Sequence, residues 1–169
     1  MIRVKMATAL AVGVGIGVVL VPMAAQAGHS NTVLEADLTG RQEVAADGSK
    51  RLVGDPNGRG EAYVFGIDGD ATTLCYVINV DKISGLRRPL GESRAAHIHE
   101  GAAGTNGPVV VALAFPQGGE SADCISEDEA DLDAGTVRDI LQNPADYYVN
   151  VHNNVYPGGA VRGQLEAND

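Results

Sequence analysis

Three histidines are spaced in a way that suits binding of a single metal ion. His97 and His99 lie two residues apart in a stretch that favours a strand, so both imidazoles face the same side. His152 ends a second such stretch, where it alternates with Tyr148 and Asn150. Two histidines on one strand and a third on its neighbour form an open three-histidine site, which suits zinc or copper. The pattern therefore predicts a candidate metal site.

A structural interpretation of these residues is favoured over the metal site. Asn150, Arg162 and Gln164 occupy alternate positions in the last two predicted strands, so they can join the histidines in one hydrogen-bonded polar layer. Asn150 and Glu43 are then candidates to orient the imidazoles. Ring nitrogens within about 4 Å of one another favour the metal, whereas an Arg162 side chain between the rings excludes it.

Other catalytic patterns are missing from the sequence. No serine or cysteine stands in a nucleophile-elbow pattern, and no glycine-rich loop of the phosphate-binding type occurs. Carboxylates are frequent but scattered, so no acid–base pair can be named. We expect a protein without catalytic activity, with no catalytic residue assigned and no cofactor required.

Short strands must position the histidines. Apolar residues alternate or run together over 32–39, 61–67, 72–80, the His-x-His stretch, 109–115, 147–152 and 160–165. Residues 116–126 are predicted to be loop, and one short helix near 134–142 is expected with Asp133 as its cap. About seven strands with frequent Gly, Asn and Asp turns predict an all-β fold: a Greek-key-like antiparallel β-sandwich or flattened barrel.

The first 27 residues have the order of a signal peptide. Arg3 and Lys5 precede an uncharged run from Met6 to Val21, and Ala25-Gln26-Ala27 forms a small-x-small cleavage site. The run is short for a membrane span, which needs about 20 residues, and no later segment is apolar enough. We therefore predict a signal peptide over 1–27, one domain over 28–169, and a secreted or cell-envelope protein with no membrane span after cleavage.

The domain is strongly acidic. The whole chain carries 12 basic and 22 acidic residues, and loss of residues 1–27 removes two of the basic ones, which leaves a net charge of −12. Such a charge repels nucleic-acid backbones and anionic membranes, so neither is an expected partner. The expected partner is an unidentified extracellular or cell-surface molecule.

Two cysteines, Cys75 and Cys124, form an even set in an exported chain, which favours a disulfide. Two free thiols and a metal site are the alternatives. The wide spacing and the lack of a Cys-x-x-Cys pattern argue against the metal. A bridge would close a loop of about 49 residues, which stabilises the fold by about 4 kcal/mol in the chain-entropy model.

Several ordered motifs resemble the CHRD (chordin) domain over about Val33 to Leu165. They are Leu38-Thr39-Gly40 with Glu43-Val44, Ala96-His97-Ile98-His99-x-Gly101, Gly104-x-Asn106-Gly107-Pro108-Val109-Val110, Tyr148-Val149-Asn150-Val151-His152-Asn153, and Pro157-Gly158-Gly159-Ala160-Val161-Arg162-Gly163-Gln164-Leu165. The proline often found after the Glu43-Val44 position in the family is missing here.

The resemblance implies an extracellular β domain of the exported bacterial type and does not itself imply an enzyme. The growth-factor antagonism of chordin is not transferred to a single domain. The sequence thus predicts a secreted, non-catalytic binding or structural module. The alternative is a zinc- or copper-binding protein or metalloenzyme that uses His97, His99 and His152.

Overall fold

Nine strands and a few short helices make up the described part of the chain. The computed structural model describes residues 33–85, 87 and 95–168, which form a nearly closed antiparallel sheet. The strands are β1 (Val33–Thr39), β2 (Arg59–Ile67), β3 (Asp70–Asp81), β4 (Ala96–Glu100), β5 (Val109–Leu113), β6 (Glu120–Ser126), β7 (Tyr147–Val151), β8 (Val161–Gln164) and β9 (Glu166–Ala167). The helices are α1 (Glu127–Ala130) and α2 (Thr136–Gln142), with 3₁₀ turns at Gly40–Gln42 and Pro144–Asp146. The predicted all-β fold is confirmed.

The last two strands join the two halves of the sheet. The strand order is β5-β4-β7-β8-β1-β2-β3-β6, and β9 also pairs with β1. Thr39 lies opposite Arg162 and Leu34 opposite Ala167, so β8 and β9 follow β1 in one register. Between them, the Leu165 amide donates to the carbonyl of Tyr147 on β7. The C-terminal segment is therefore the seam between β7 and β1.

Alternation along β1 sets the inner face of the barrel. Leu34, Ala36 and Leu38 are buried, whereas Glu35 and Asp37 are exposed. Burial of each large aliphatic side chain stabilises the fold by roughly 1.5–3 kcal/mol. The same two-residue period places the polar side chains of neighbouring strands on the outer face.

The segment 116–126, predicted to be loop, contains β6. This strand pairs with β3, and Cys124 lies directly opposite Cys75, to which it is joined by the expected disulfide. β6 ends the strand order, and Ile125 is its one buried residue. An edge strand that is mostly exposed does not need apolar alternation, which is why its sequence resembles a loop.

The predicted helix forms, but its cap is a different residue. Helix α2 spans Thr136–Gln142 and packs Val137 and Ile140 towards β2 and β3. Its first amides are satisfied by the buried Glu127 carboxylate, which accepts hydrogen bonds from the Gly135 and Val137 N–H groups. The proposed side-chain cap at Asp133 was therefore wrong, because a residue from the preceding helix occupies the site.

The predicted signal peptide, residues 1–27, lies outside the described residues. Within the described part of the chain, no helix has the length and apolar character that crossing a bilayer requires.

Candidate metal centre

Strand β4 carries His97 and His99 on its outer face. Ile98, between them, points into the core and is fully buried, as the two-residue period requires. Strand β7 runs beside β4, with Asn150 opposite His97 and Tyr148 opposite His99. The two histidines therefore sit next to the polar face of β7.

Strand β8 extends this polar face. Arg162 lies opposite Asn150, and Gln164 lies opposite Tyr148. Together with the two histidines of β4, these residues form two rows across three strands. The structure thus brings together the polar residues of β7 and β8 that were predicted from strand alternation.

The three candidate ligands converge. His152 follows the last residue of β7, and one ring nitrogen from each of His97, His99 and His152 lies within 4.8 Å of the others. The expected separation was about 4 Å, and nitrogen ligands on tetrahedral zinc lie roughly 3.4 Å apart, so small side-chain rotations are needed to close the site. Arg162 does not fill the space, since its guanidinium carbon lies 3.3 Å from the centre of the Tyr148 ring.

Backbone carbonyls fix the orientation of two imidazoles. His99 Nδ1 is 3.0 Å from the Gly107 oxygen, and His152 Nδ1 is 2.9 Å from the Pro157 oxygen. A carbonyl oxygen only accepts, so each Nδ1 must carry the proton, and in the neutral ring Nε2 keeps its lone pair. Both Nε2 atoms are buried without a hydrogen-bond partner. This is the arrangement in which a histidine binds a metal through Nε2 and is held by its other nitrogen.

The surroundings of His99 favour the neutral ring. Burial is the largest effect and lowers the pKa of His99, although the hydrogen bond to Gly107 raises it. Electrostatic interaction with the neighbouring His152 and Arg162 lowers this pKa further. Because only the unprotonated nitrogen is a ligand, the lowered pKa favours metal binding at neutral pH.

Tyr148 is a site residue to which the sequence analysis gave no role. Its ring stacks on His99, with centroids 4.7 Å apart and an interplanar angle of 6°, and the Arg162 guanidinium covers it. Its hydroxyl accepts a hydrogen bond from the Gly107 amide. The signal was its alternation with Asn150 and His152, which places all three on one face.

Glu43 reaches the same layer from the loop after β1. The side chain is buried, and Asn150 Nδ2 lies 2.9 and 3.0 Å from its two carboxylate oxygens. A Cβ atom at Gly159 would overlap this carboxylate, and one at Gly54 would crowd its Cγ, so two glycines make room for it. Burial raises the pKa of Glu43 to about 8, against the opposing effects of Arg162 and Asn150.

Gln164 ties the layer to the neighbouring turns. Its Nε2 lies within 3.0 Å of the carbonyl oxygens of Gly101, Ala145 and Tyr147. These contacts hold the turn after β4 against the start of β7. Gln164 therefore supports the scaffold, and its amide nitrogen is fully engaged.

The fold and the site together define a disulfide-linked, all-β domain with a histidine-containing polar layer on its outer face. Within that class, the chain belongs to the CHRD domain family, which matches residues 34–165. The resemblance drawn from the motifs is thereby confirmed. Comparison with curated proteins and with solved structures gives no match.

Proposed function

We propose that this CHRD domain is an exported, non-catalytic module that binds one zinc or copper ion through His97, His99 and His152. The observation that carries the proposal is the convergence of three ring nitrogens within 4.8 Å on a rigid sheet. Imidazole is a preferred ligand of both metals, and three such ligands leave one coordination position open. That position is available to a partner molecule or to water.

The orientation of the rings supports this proposal over a purely structural role. If the histidines served only hydrogen bonding, their buried inner nitrogens would be expected to have partners. His99 Nε2 and His152 Nε2 have none, while their Nδ1 atoms are held by carbonyls. A metal ion would satisfy both of these buried lone pairs at once.

A binding role is favoured over catalysis because of the ligand set. Among the described residues, the cluster contains three imidazoles and no carboxylate, so no carboxylate general acid or base belongs to the ligand cluster to serve a bound substrate. The nearby carboxyl of Glu43 is occupied by Asn150. Export is supported by the disulfide and by the basic, apolar and small-residue order of 1–27.

The test is a zinc titration of the exported, metal-free protein, which is expected to begin at Gly28. We expect one zinc ion per chain, together with a rise in the melting temperature, because a ligand that binds only the folded state stabilises it. His97→Ala and His99→Ala should each weaken zinc binding by at least about 100-fold, more than the loss of an outer hydrogen-bond partner does.

His29→Ala is the matched control, because it removes the one histidine that the proposed site does not use, and it should leave zinc affinity unchanged. Copper is tested by the same titration. Metal analysis of the protein as exported shows which of the two metals it carries. The proposal fails if the unmutated protein binds neither metal, or if His97→Ala binds zinc as tightly as the unmutated protein does.

A further inference from the structure

A cavity of about 680 Å³ lies beside β8, and none of the three histidines lines it. Its walls come from the loop after β1, the turn after β4, and strand β8. Cavities of roughly 300–1,000 Å³ hold small organic ligands. The cavity is therefore large enough for a molecule of several functional groups.

Basic residues are concentrated around this cavity. Arg41, Lys50, Arg51 and Arg162 all line it, and they are four of the eight Lys and Arg residues within the described ranges. The whole chain has a net charge of −10, so a local excess of positive charge runs against its overall composition. Glu43 is the one carboxylate among the lining residues.

Arg162 forms the floor of the cavity and is only 2% exposed. Its guanidinium offers five N–H donors, yet its hydrogen bonds are long: 3.4 Å to Asn106 Oδ1 and 3.5 Å to the Ala102 oxygen. No carboxylate of the described chain lies within 4 Å of it. Its remaining contact is the face of the Tyr148 ring, 3.3 Å from the guanidinium carbon, and a buried cation without a hydrogen-bonded anion is costly.

The other three cations are also largely available. Arg51 forms an exposed ion pair with Asp47 at 3.3 Å, while Arg41 and Lys50 form none with any described carboxylate. The raised pKa of Glu43, about 8, keeps most of this carboxyl uncharged at neutral pH. Glu43 therefore does little to neutralise Arg162 or to repel an incoming anion.

We propose that this cavity binds a small organic anion that carries two or more carboxylate or phosphate groups. Arg162 receives one oxyanion through paired N–H donors, the geometry in which guanidinium binds carboxylate or phosphate. Lys50, Arg51 and Arg41, at the rim, neutralise the second group. The ligand enters beside the sheet and does not require a metal at the histidine cluster.

The test uses the metal-free mature protein, so that chelation by the probes plays no part. Succinate and fructose 1,6-bisphosphate are the probes, with succinamide and fructose as their uncharged counterparts. We expect saturable binding of at least one anion with a Kd below about 1 mM. Amide NMR shifts should change at Ser49 and Gly104, which line the cavity. The stronger of the two probes identifies the oxyanion.

Lys50→Glu should weaken binding at least tenfold, because it reverses one charge at the rim. Arg138→Glu makes the same change in net charge on helix α2, outside the cavity lining, and should leave binding unchanged. Arg162→Gln should abolish binding. Because this buried substitution can affect folding, Lys50→Glu tests the same site at an exposed position.

Three results would overturn the proposal. One is the lack of saturable binding by either anion. Another is equal weakening by Lys50→Glu and Arg138→Glu, which would indicate a general charge effect. The third is undiminished binding by a folded Arg162→Gln variant. None of these results bears on zinc binding, so this proposal and the proposed metal site fail independently.

Discussion

Glu43 is a buried carboxyl group in a place that disfavours its charge. Asn150 Nδ2 is its hydrogen-bond donor, and Arg162 lies close enough to lower its pKa, yet burial outweighs both. The carboxyl therefore binds its proton more tightly in the folded protein than in the unfolded chain, where its ordinary value is 4.5. The protonation of this one residue is coupled to folding.

The sign of this coupling predicts how stability varies with pH. The contribution of Glu43 to the free energy of unfolding is fully present below about pH 4.5. It is lost as the pH rises towards about 8, because the carboxyl of the unfolded chain releases its proton first. Glu43→Gln cannot ionise, so it should remove this loss, which amounts to a few kcal/mol. Urea unfolding of both proteins near the two ends of this pH range measures the difference.

Glu166→Gln is the control for Glu43→Gln, because Glu166 is exposed on β9 and its replacement should leave the pH profile unchanged. Parallel profiles for the unmutated protein and Glu43→Gln would show that Glu43 ionises freely in the folded state. They would also remove the support that a neutral Glu43 gives to anion binding.

At the residue scale, the sequence predicted the face of the sheet on which a side chain lies, but not the groups that surround that side chain. Strand alternation was enough to place His97, Asn150 and Arg162 on one face, because side-chain direction in a strand is a local property. The carbonyl partners of His99 and His152 come from turns eight and five residues away, respectively, and no residue-type pattern marks them.

Helix α2 depends on Glu127, the first residue of the preceding helix α1. The Glu127 carboxylate lies 3.1 and 3.0 Å from the Gly135 amide and 2.9 Å from the Val137 amide. Val137 is fully buried, so its N–H group has no access to water. Glu127 therefore fixes both the start of α2 and its docking on the sheet.

Glu127→Ala should lower the free energy of unfolding by about 1–3 kcal/mol, because it leaves buried N–H groups without an acceptor. Asp133→Ala, at the position that the sequence predicted as the cap, should change it by less than about 0.5 kcal/mol. Chemical denaturation of the two variants provides the comparison. Equal effects would show that Glu127 is not the cap.

The elements that the sequence missed are those that depend on distant partners. Strands with a buried face were recognised because the core imposes alternation on them, as it does on Leu34, Ala36 and Leu38. Strand β6 has one buried residue and is held by pairing with β3. Its own residues therefore show no apolar alternation from which a strand could be predicted. The predicted cap of α2 was wrong for the same reason, because the residue that caps it belongs to the preceding helix.

For the whole molecule, the disulfide fixes the end of the sheet. Cys75 and Cys124 are separated by 49 residues and join β3 to the terminal strand β6. Replacing both cysteines by serine should lower the free energy of unfolding by about 2–5 kcal/mol. Urea denaturation measures this loss. Dithiothreitol should destabilise the unmutated protein alone, and an equal response of the double variant would contradict the assignment.

The seam formed by the C-terminal segment governs when the barrel can be completed. β8 and β9 are translated after every other strand, yet they lie between β7 and the first strand, β1. Until residues 161–167 leave the ribosome, β1 lacks one neighbour, and the layer around Asn150 lacks Arg162. The barrel can therefore close only once residues 161–167 are free to pair with β1. In a chain that crosses a membrane unfolded, as the proposed export implies, this closure would take place on the far side.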